Sequence, residues 1–134
     1  MGFETILVVD DEPVVREYCH SVLARAGYHV LQAGSGEEAL AICCEYKGTI
    51  SLALVDLVMP GINGVKLAKL LNRRMRIAIM SGYTPAEIKR LIGKSGADYH
   101  FCWKPFDTTT FLKTIRNLLD RPLPAHAAAA GAGS

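Results

Sequence analysis

Five apolar runs begin near residues 5, 28, 51, 76 and 98, at intervals of 22 to 25 residues, and this spacing constrains the fold more than any other feature of the chain. One strand, one helix and two short loops fill such an interval. Ile6-Leu7-Val8-Val9, Leu52-Ala53-Leu54-Val55 and Ile77-Ala78-Ile79-Met80 are unbroken apolar stretches. That is the pattern of strands covered on both faces. Alternation of strand and helix requires right-handed crossovers and a parallel sheet between two helical layers.

The segments between the runs carry helix signals. Val14, Val15, Tyr18, Val22 and Leu23 recur at helical spacing, with Pro13 suited to the first turn. Ser35 or Gly36 opens a second helix, where Glu37 and Glu38 favour the positive end of the dipole and Ala39, Leu40, Ile42 and Cys43 form the apolar side. Val65, Leu67, Ala68, Leu70 and Leu71 mark a third. Thr84-Pro85-Ala86-Glu87 reads as an N-cap, an N1 proline and a capping-box acid for a fourth, which carries Ile88, Leu91 and Ile92. Phe111, Leu112, Ile115, Leu118 and Leu119 mark a fifth. Gly27, Gly48 and Gly96 fall where the first, second and fourth helices should stop. The expected fold is therefore α/β, a (βα)5 flavodoxin-like, doubly wound, five-stranded parallel sheet in the order 2-1-3-4-5. One domain over residues 1–121 is expected, followed by a low-complexity, disordered tail over 122–134.

Where the runs end is chemically informative. The first runs into Asp10-Asp11-Glu12, the third into Asp56, the fourth into Ser81-Gly82, and Tyr99-His100-Phe101-Cys102-Trp103 into Lys104-Pro105. In an open parallel sheet the carboxyl ends of the strands share one edge, where ligands bind. Three carboxylates there repel one another unless a cation or protons compensate. Oxygen-only donors suit a hard ion such as Mg²⁺, which keeps open positions for a phosphoryl oxygen. With Lys104 as ammonium and Ser81 as hydroxyl donor, such a site can stabilise a transferring phosphoryl group while an aspartate attacks in line. The plainer alternative makes Asp10-Asp11-Glu12 an N-terminal cluster that caps the first helix. On either reading Glu12 is a capping or supporting residue, not a direct ligand.

Val8-Val9-Asp10-Asp11-Glu12, Asp56-Leu57-Val58-Met59-Pro60-Gly61, Met80-Ser81-Gly82 and Trp103-Lys104-Pro105-Phe106 together resemble the receiver domain of two-component response regulators, over roughly residues 4 to 120. The resemblance implies that Asp56 is the phosphoacceptor. It implies that Asp10 and Asp11 hold Mg²⁺ together with Asp56 and the backbone carbonyl of Val58. Lys104 would pair with the phosphoryl group, Ser81 would be the hydroxyl that moves toward it, and Phe101 the aromatic switch residue. The peptide before Pro105 is expected to be cis, a form that only X-Pro bonds adopt cheaply.

The implied function is a phosphorylation-activated switch, Mg²⁺-dependent, with a histidine kinase or histidine phosphotransfer protein as donor. An unidentified downstream protein would read the face of the fourth helix, fifth strand and fifth helix. The chain would act as a monomer or a phosphorylation-dependent dimer. It would be no enzyme beyond its own phosphorylation and dephosphorylation. Val58 and Tyr83 flank the expected path of a hydrolytic water with an apolar and a bulky side chain, which predicts slow autodephosphorylation. Asn63-Gly64 reads as a turn or cap without chemical role.

Rival readings separate on single features. A flavodoxin-like cofactor binder needs a Gly/Ser/Thr-rich phosphate loop where this chain has Asp10-Asp11-Glu12. An aspartate-nucleophile phosphatase needs a general acid where Val58 stands. A pseudo-receiver, folded but acting only as a phosphorylation-independent interaction module, sits poorly with the full set Asp10, Asp11, Asp56, Ser81 and Lys104.

Composition narrows partners and compartment. A net charge of +2 with no long basic block gives nucleic acid little to bind. No run approaches the roughly 20 apolar residues of a membrane span. Cys19, Cys43, Cys44 and Cys102 lack metal or bridge spacing and read as reduced core thiols of a cytoplasmic protein. Tyr99 and Trp103 read as packing or rim residues. Arg73-Arg74-Met75-Arg76 reads as a solvated cluster, and Lys89 and Arg90 as partner-contact candidates.

Overall fold

Strands β1 (Thr5–Val9), β2 (His29–Ala33), β3 (Leu52–Asp56), β4 (Arg76–Ser81) and β5 (His100–Trp103) form one parallel sheet in the order β2-β1-β3-β4-β5. Helices α1 (Pro13–Arg25), α2 (Gly36–Glu45), α3 (Gly64–Leu71) and α4 (Pro85–Ile92) connect them, and α5 (Thr108–Asp120) follows β5. The structure, a computed structural model, describes residues 4–61, 63–71, 75–92, 100–104 and 107–121. Gly96, Tyr99, Arg73, Arg74, Pro105 and the expected tail over 122–134 lie outside these residues, as do the side chains of Leu91, Ile92 and Trp103.

Strand alternation divides the core into two layers. Leu7, Val9, Ala53, Val55, Ile77 and Ile79 point to one face and pack with Ala39, Val65, Leu67, Ala68 and Ile88 of α2, α3 and α4. Ile6, Val8, Leu52, Leu54, Ala78 and Met80 point to the other, against Cys19 and Leu23 of α1 and Phe111, Ile115 and Leu118 of α5. Every residue of β1 and β3 is buried, whereas β2, at the edge, is largely half-buried. Between Thr5, which opens β1, and Asp56, which closes β3, the two strands are wholly apolar. Their polar ends are then held at the margin of a rigid core.

Local signals work as expected at several helix starts. Ser35 Oγ accepts from the Glu38 N–H at 3.1 Å, and Thr84 and Glu87 exchange the two bonds of a capping box at 2.9 and 3.2 Å. Gly27 takes φ 101° just past α1, the left-handed turn that glycine adopts without strain. Asp107, not anticipated, caps α5 by accepting from the Thr110 N–H at 2.9 Å.

Other expectations need correction. Val14 is 82% exposed and Leu70 53% exposed, while Cys19 lies in the core. The buried stripe of α1 runs through Val15, Cys19, Val22 and Leu23, one step out of phase with Val14. Cys44 is exposed, so not all four thiols are core groups. α2 stops at Glu45 with Tyr46 extended. Gly48 does not cap it; a Cβ there would come within 2.9 Å of the Tyr46 ring, so packing explains the glycine.

Candidate functional site

Register builds the site. Val9 pairs with Val55, Asp56 with Met80, and Ser81 with Trp103. The residue after β1, the last residues of β3 and β4, and the residue after β5 therefore stand side by side: Asp10, Asp56, Ser81 and Lys104. Asp10, Asp56 and Ser81 are buried, and with Thr5 they are the buried polar or charged residues among those described. Such groups are retained only when bonded or when they serve a ligand.

Backbone contacts hold each in place. Asp10 N–H donates to Ala33 O at 3.1 Å, and its Oδ1 accepts from the Glu12 N–H at 2.9 Å, which turns the chain into α1. Glu12 occupies the N-cap position without a side-chain capping bond. Leu57 N–H donates to Met80 O at 3.0 Å, and Lys104 N–H to Ser81 O at 2.7 Å. Arg16, which sequence reading passed over, donates from Nη1 to the Asp10 carbonyl at 2.7 Å. An arginine one turn into a helix ordinarily reads as solvated, and nothing in the linear pattern marks this one.

Carboxylate oxygens of Asp10, Asp11 and Asp56 lie within 4.8 Å of one another. Lys104 Nζ sits 3.3 Å from Asp10 Oδ2, 3.2 Å from Asp56 Oδ1 and 3.8 Å from Glu12 Oε1. One ammonium thus faces three carboxylates. Burial, and then the Asp10 charge, push the Asp56 carboxyl up to about 6 against the pull of Lys104. Burial opposes the Lys104 ammonium, but Asp56 and Asp10 outweigh it and hold its pKa above the usual lysine range. An oxygen-only donor set with this excess of negative charge fits a hard divalent cation.

A cavity of about 350 Å³ opens beside the cluster, lined by Asp11, Glu12, Asp56 and Lys104 on its charged side. Val58, Ser81 and Tyr83 complete its lining, together with Leu57 and Gly82. Ser81 Oγ accepts from the Tyr83 N–H at 2.9 Å. Val58 and Tyr83 are 53% and 38% exposed, so both side chains border the opening. Phe101 instead packs, partly buried, against the core layer beneath α2, α3 and α4. The structure thus brings Asp10, Asp11, Asp56 and Lys104 together, with Ser81, Val58 and Tyr83 on the rim. Pro105 lies outside the described residues.

A model of the response regulator receiver domain matches residues 6–116. The chain belongs to that family. This receiver is 36% identical over 130 residues to the transcriptional regulatory protein AruR of Pseudomonas aeruginosa, covering 92% of this chain and 52% of that one. It is 32% identical over 124 residues to sporulation initiation phosphotransferase F of Bacillus subtilis, covering 90% and 94% respectively. The receiver spans about half the length of several of the curated relatives it matches. Among solved structures, the response regulator TrrA of Thermotoga maritima, crystallised with Mg²⁺ and BeF, superposes with a TM-score of 0.74 at 28% identity. That match covers 87% of this chain and 99% of TrrA. A receiver domain is a phosphorylation-based signalling module of two-component systems. Among the described residues, no helix is long and apolar enough to cross a membrane.

Proposed function

We propose that this receiver accepts a phosphoryl group on Asp56 and uses it to bias the output face formed by α4, β5 and α5. The observation that carries the reading is the Asp56 carboxylate at the end of β3, 3.2 Å from Lys104 Nζ and grouped with Asp10 and Asp11. In the reaction, an Asp56 carboxylate oxygen attacks phosphorus of a phosphohistidine, the P–O bond forms and the P–N bond breaks. The imidazole leaves with the electron pair and takes up a proton. Asp10, Asp11, Asp56 and the Val58 carbonyl would hold Mg²⁺, whose bound form offsets the charge of the phosphoryl oxygens. Lys104, already at Asp56, pairs with the incoming group.

The acquired charge draws the Ser81 hydroxyl from its resting bond with the Tyr83 N–H, and Phe101 reorients behind it. Pro105 is proposed to be cis, aiming Lys104. Val58 and Tyr83 present an apolar and a bulky side chain to the path of a hydrolytic water, so the aspartyl phosphate is long-lived. The partners are a histidine kinase or histidine phosphotransfer protein upstream and one downstream protein, in the cytoplasm. The signalling unit is residues 1–121, as a monomer or a phosphorylation-dependent dimer.

The test is intact-mass spectrometry after incubation with acetyl phosphate and Mg²⁺, with EDTA and Asp56→Ala as controls. A phosphoryl adduct lost in both controls is expected. No adduct from acetyl phosphate or from phosphorylated phosphotransfer proteins would make the chain a pseudo-receiver.

A further inference from the structure

Gly64 opens α3, is buried, and has no need of left-handed backbone. Its lack of a side chain matters for another reason. A Cβ placed there would lie 2.3 Å from the carbonyl oxygen of Asp56, 2.8 Å from Leu57 Cα and 3.0 Å from the Asp56 carbonyl carbon. All three obstacles are backbone atoms, which cannot swing aside as a side-chain tip can. Gly34, near the same sheet edge, is a useful contrast. A Cβ there meets the Arg16 guanidinium at 3.3 Å, a side-chain tip and not a backbone atom.

The Asp56–Leu57 peptide is held from two sides. Leu57 N–H donates to Met80 O of β4 at 3.0 Å, and Leu57 O accepts from the Gly64 N–H at 2.9 Å. The second bond closes the base of the loop that carries Val58. Nor is α3 free to retreat. Asn63 Oδ1 caps it through the Lys66 N–H at 2.9 Å, and Val65, Leu67, Ala68 and Leu71 are buried in the core. A methyl at position 64 must therefore displace the peptide that carries the Asp56 carboxylate, the Val58 loop, or both.

We infer that Gly64 is a positioning residue for the phosphoacceptor: its bare Cα lets α3 dock on the Asp56 carbonyl and fixes the Asp56 carboxylate and the Val58 carbonyl relative to Asp10 and Asp11. This rests on the proposed phosphoacceptor role of Asp56. The expected cap stands, in Asn63; what the inference adds is a role for Gly64 in the site. A displacement of about 1 Å suffices to spoil a preorganised site.

The experiment titrates Mg²⁺ by calorimetry into the wild-type chain, Gly64→Ala and Asn63→Ala, with urea unfolding of each to give the folded fraction. Acetyl-phosphate uptake follows by intact mass. Asn63→Ala removes a helix cap without a methyl against Asp56 and controls for destabilisation alone. For Gly64→Ala the expected result, per folded molecule, is Mg²⁺ binding weakened at least about tenfold and slower phosphoryl uptake. Asn63→Ala should keep wild-type Mg²⁺ affinity. Gly64→Ala with wild-type affinity per folded molecule would overturn the inference, as would a Gly64→Ala chain that stays unfolded even in a stabilising osmolyte. The latter result would assign the glycine to the fold. A wild-type chain that neither binds Mg²⁺ nor takes up phosphate would instead overturn the phosphoacceptor reading itself.

Discussion

Opposite ends of the same sheet carry charge clusters that work in opposite directions. At the carboxyl end, Lys104 is the one cation among the described residues paired with Asp10, Asp56 and Glu12, and the Asp56 carboxyl is pushed up to about 6 by burial and by Asp10. At the amino end, Arg116 reaches Glu4 at 2.6 Å, Asp120 at 2.8 Å and the Tyr28 hydroxyl at 3.3 Å. There the hydrogen bond from Arg116 holds the Glu4 carboxyl below its ordinary value. A carboxyl raised on folding opposes folding once ionised, and one lowered on folding favours it. The amino-end cluster ties α5 to the start of β1. The carboxyl-end cluster is charge held in place against the preference of the fold, the common signature of a site awaiting a ligand.

The largest expected effect breaks the carboxyl-end cluster. Lys104→Ala leaves the buried carboxylates of Asp10 and Asp56 without their cation, and removing one partner of such a group costs about 3 kcal/mol. Urea unfolding at neutral pH without divalent ions measures this. Saturating Mg²⁺ should restore much of the loss, because ligand binding to the folded state adds stability by mass action. A Lys104→Ala chain as stable as wild type in EDTA would remove the contrast between the two ends.

Asp56→Asn should move stability the other way. The folded carboxyl titrates near 6 and the unfolded one in the usual range near 4. Between those values the folded state holds more protons, so the Asp56 contribution falls as pH rises and the full penalty stands above pH 6. Replacing the charge should therefore stabilise the metal-free chain at pH 7 by about 1–3 kcal/mol and do little below pH 4. Unfolding curves at both pH values decide it, and destabilisation at pH 7 would show that Asp56 is satisfied in the fold.

How much of this was readable beforehand follows from the range of the forces involved. Unbroken apolar runs ending in Asp10, Asp56 and Ser81 gave away the strands and the site edge, because burial on both faces confines polar residues to the ends of a strand. Capping by Ser35 and by Thr84 with Glu87 is local and was legible for that reason. Val14 and Leu70 misled because a helix stripe can be read one residue out of phase until its neighbours are known. Arg16 and Gly64 were invisible as site residues. Their roles depend on the Asp10 carbonyl and on the Asp56 carbonyl, contacts set by docking of helix on strand and not by any local pattern.

A third test stays at the carboxyl end and asks what its rim does after phosphorylation. Val58→Asn with Tyr83→Glu places an amide and an acid where the cavity now has apolar and bulky side chains. Loss of phosphate from Asp56, followed by intact mass after donor removal, should quicken by about tenfold, equivalent to about 1.4 kcal/mol of barrier. Equal decay in variant and wild type would mean that these rim positions do not tune the lifetime.

The smallest effect is expected at the amino end, and it sharpens the comparison because its dependences should be reversed. Arg116 is about one-third exposed, as is Glu4, and Asp120 is more exposed still. Pairs so open to water contribute little, so Arg116→Ala should cost about 1 kcal/mol or less. That loss should shrink as salt rises, through screening. It should also shrink in acid: because the Glu4 carboxyl is depressed on folding, its contribution is present above the ordinary glutamate range and disappears as pH falls through the folded value. Mg²⁺ should leave the Arg116→Ala deficit untouched, since Glu4 and Asp120 lie at the far end of the strands from Asp10, Asp11 and Asp56. A deficit that Mg²⁺ repairs would mean that the two ends communicate through β1 and α5. The amino-end cluster would then belong to the switch and not merely to its frame.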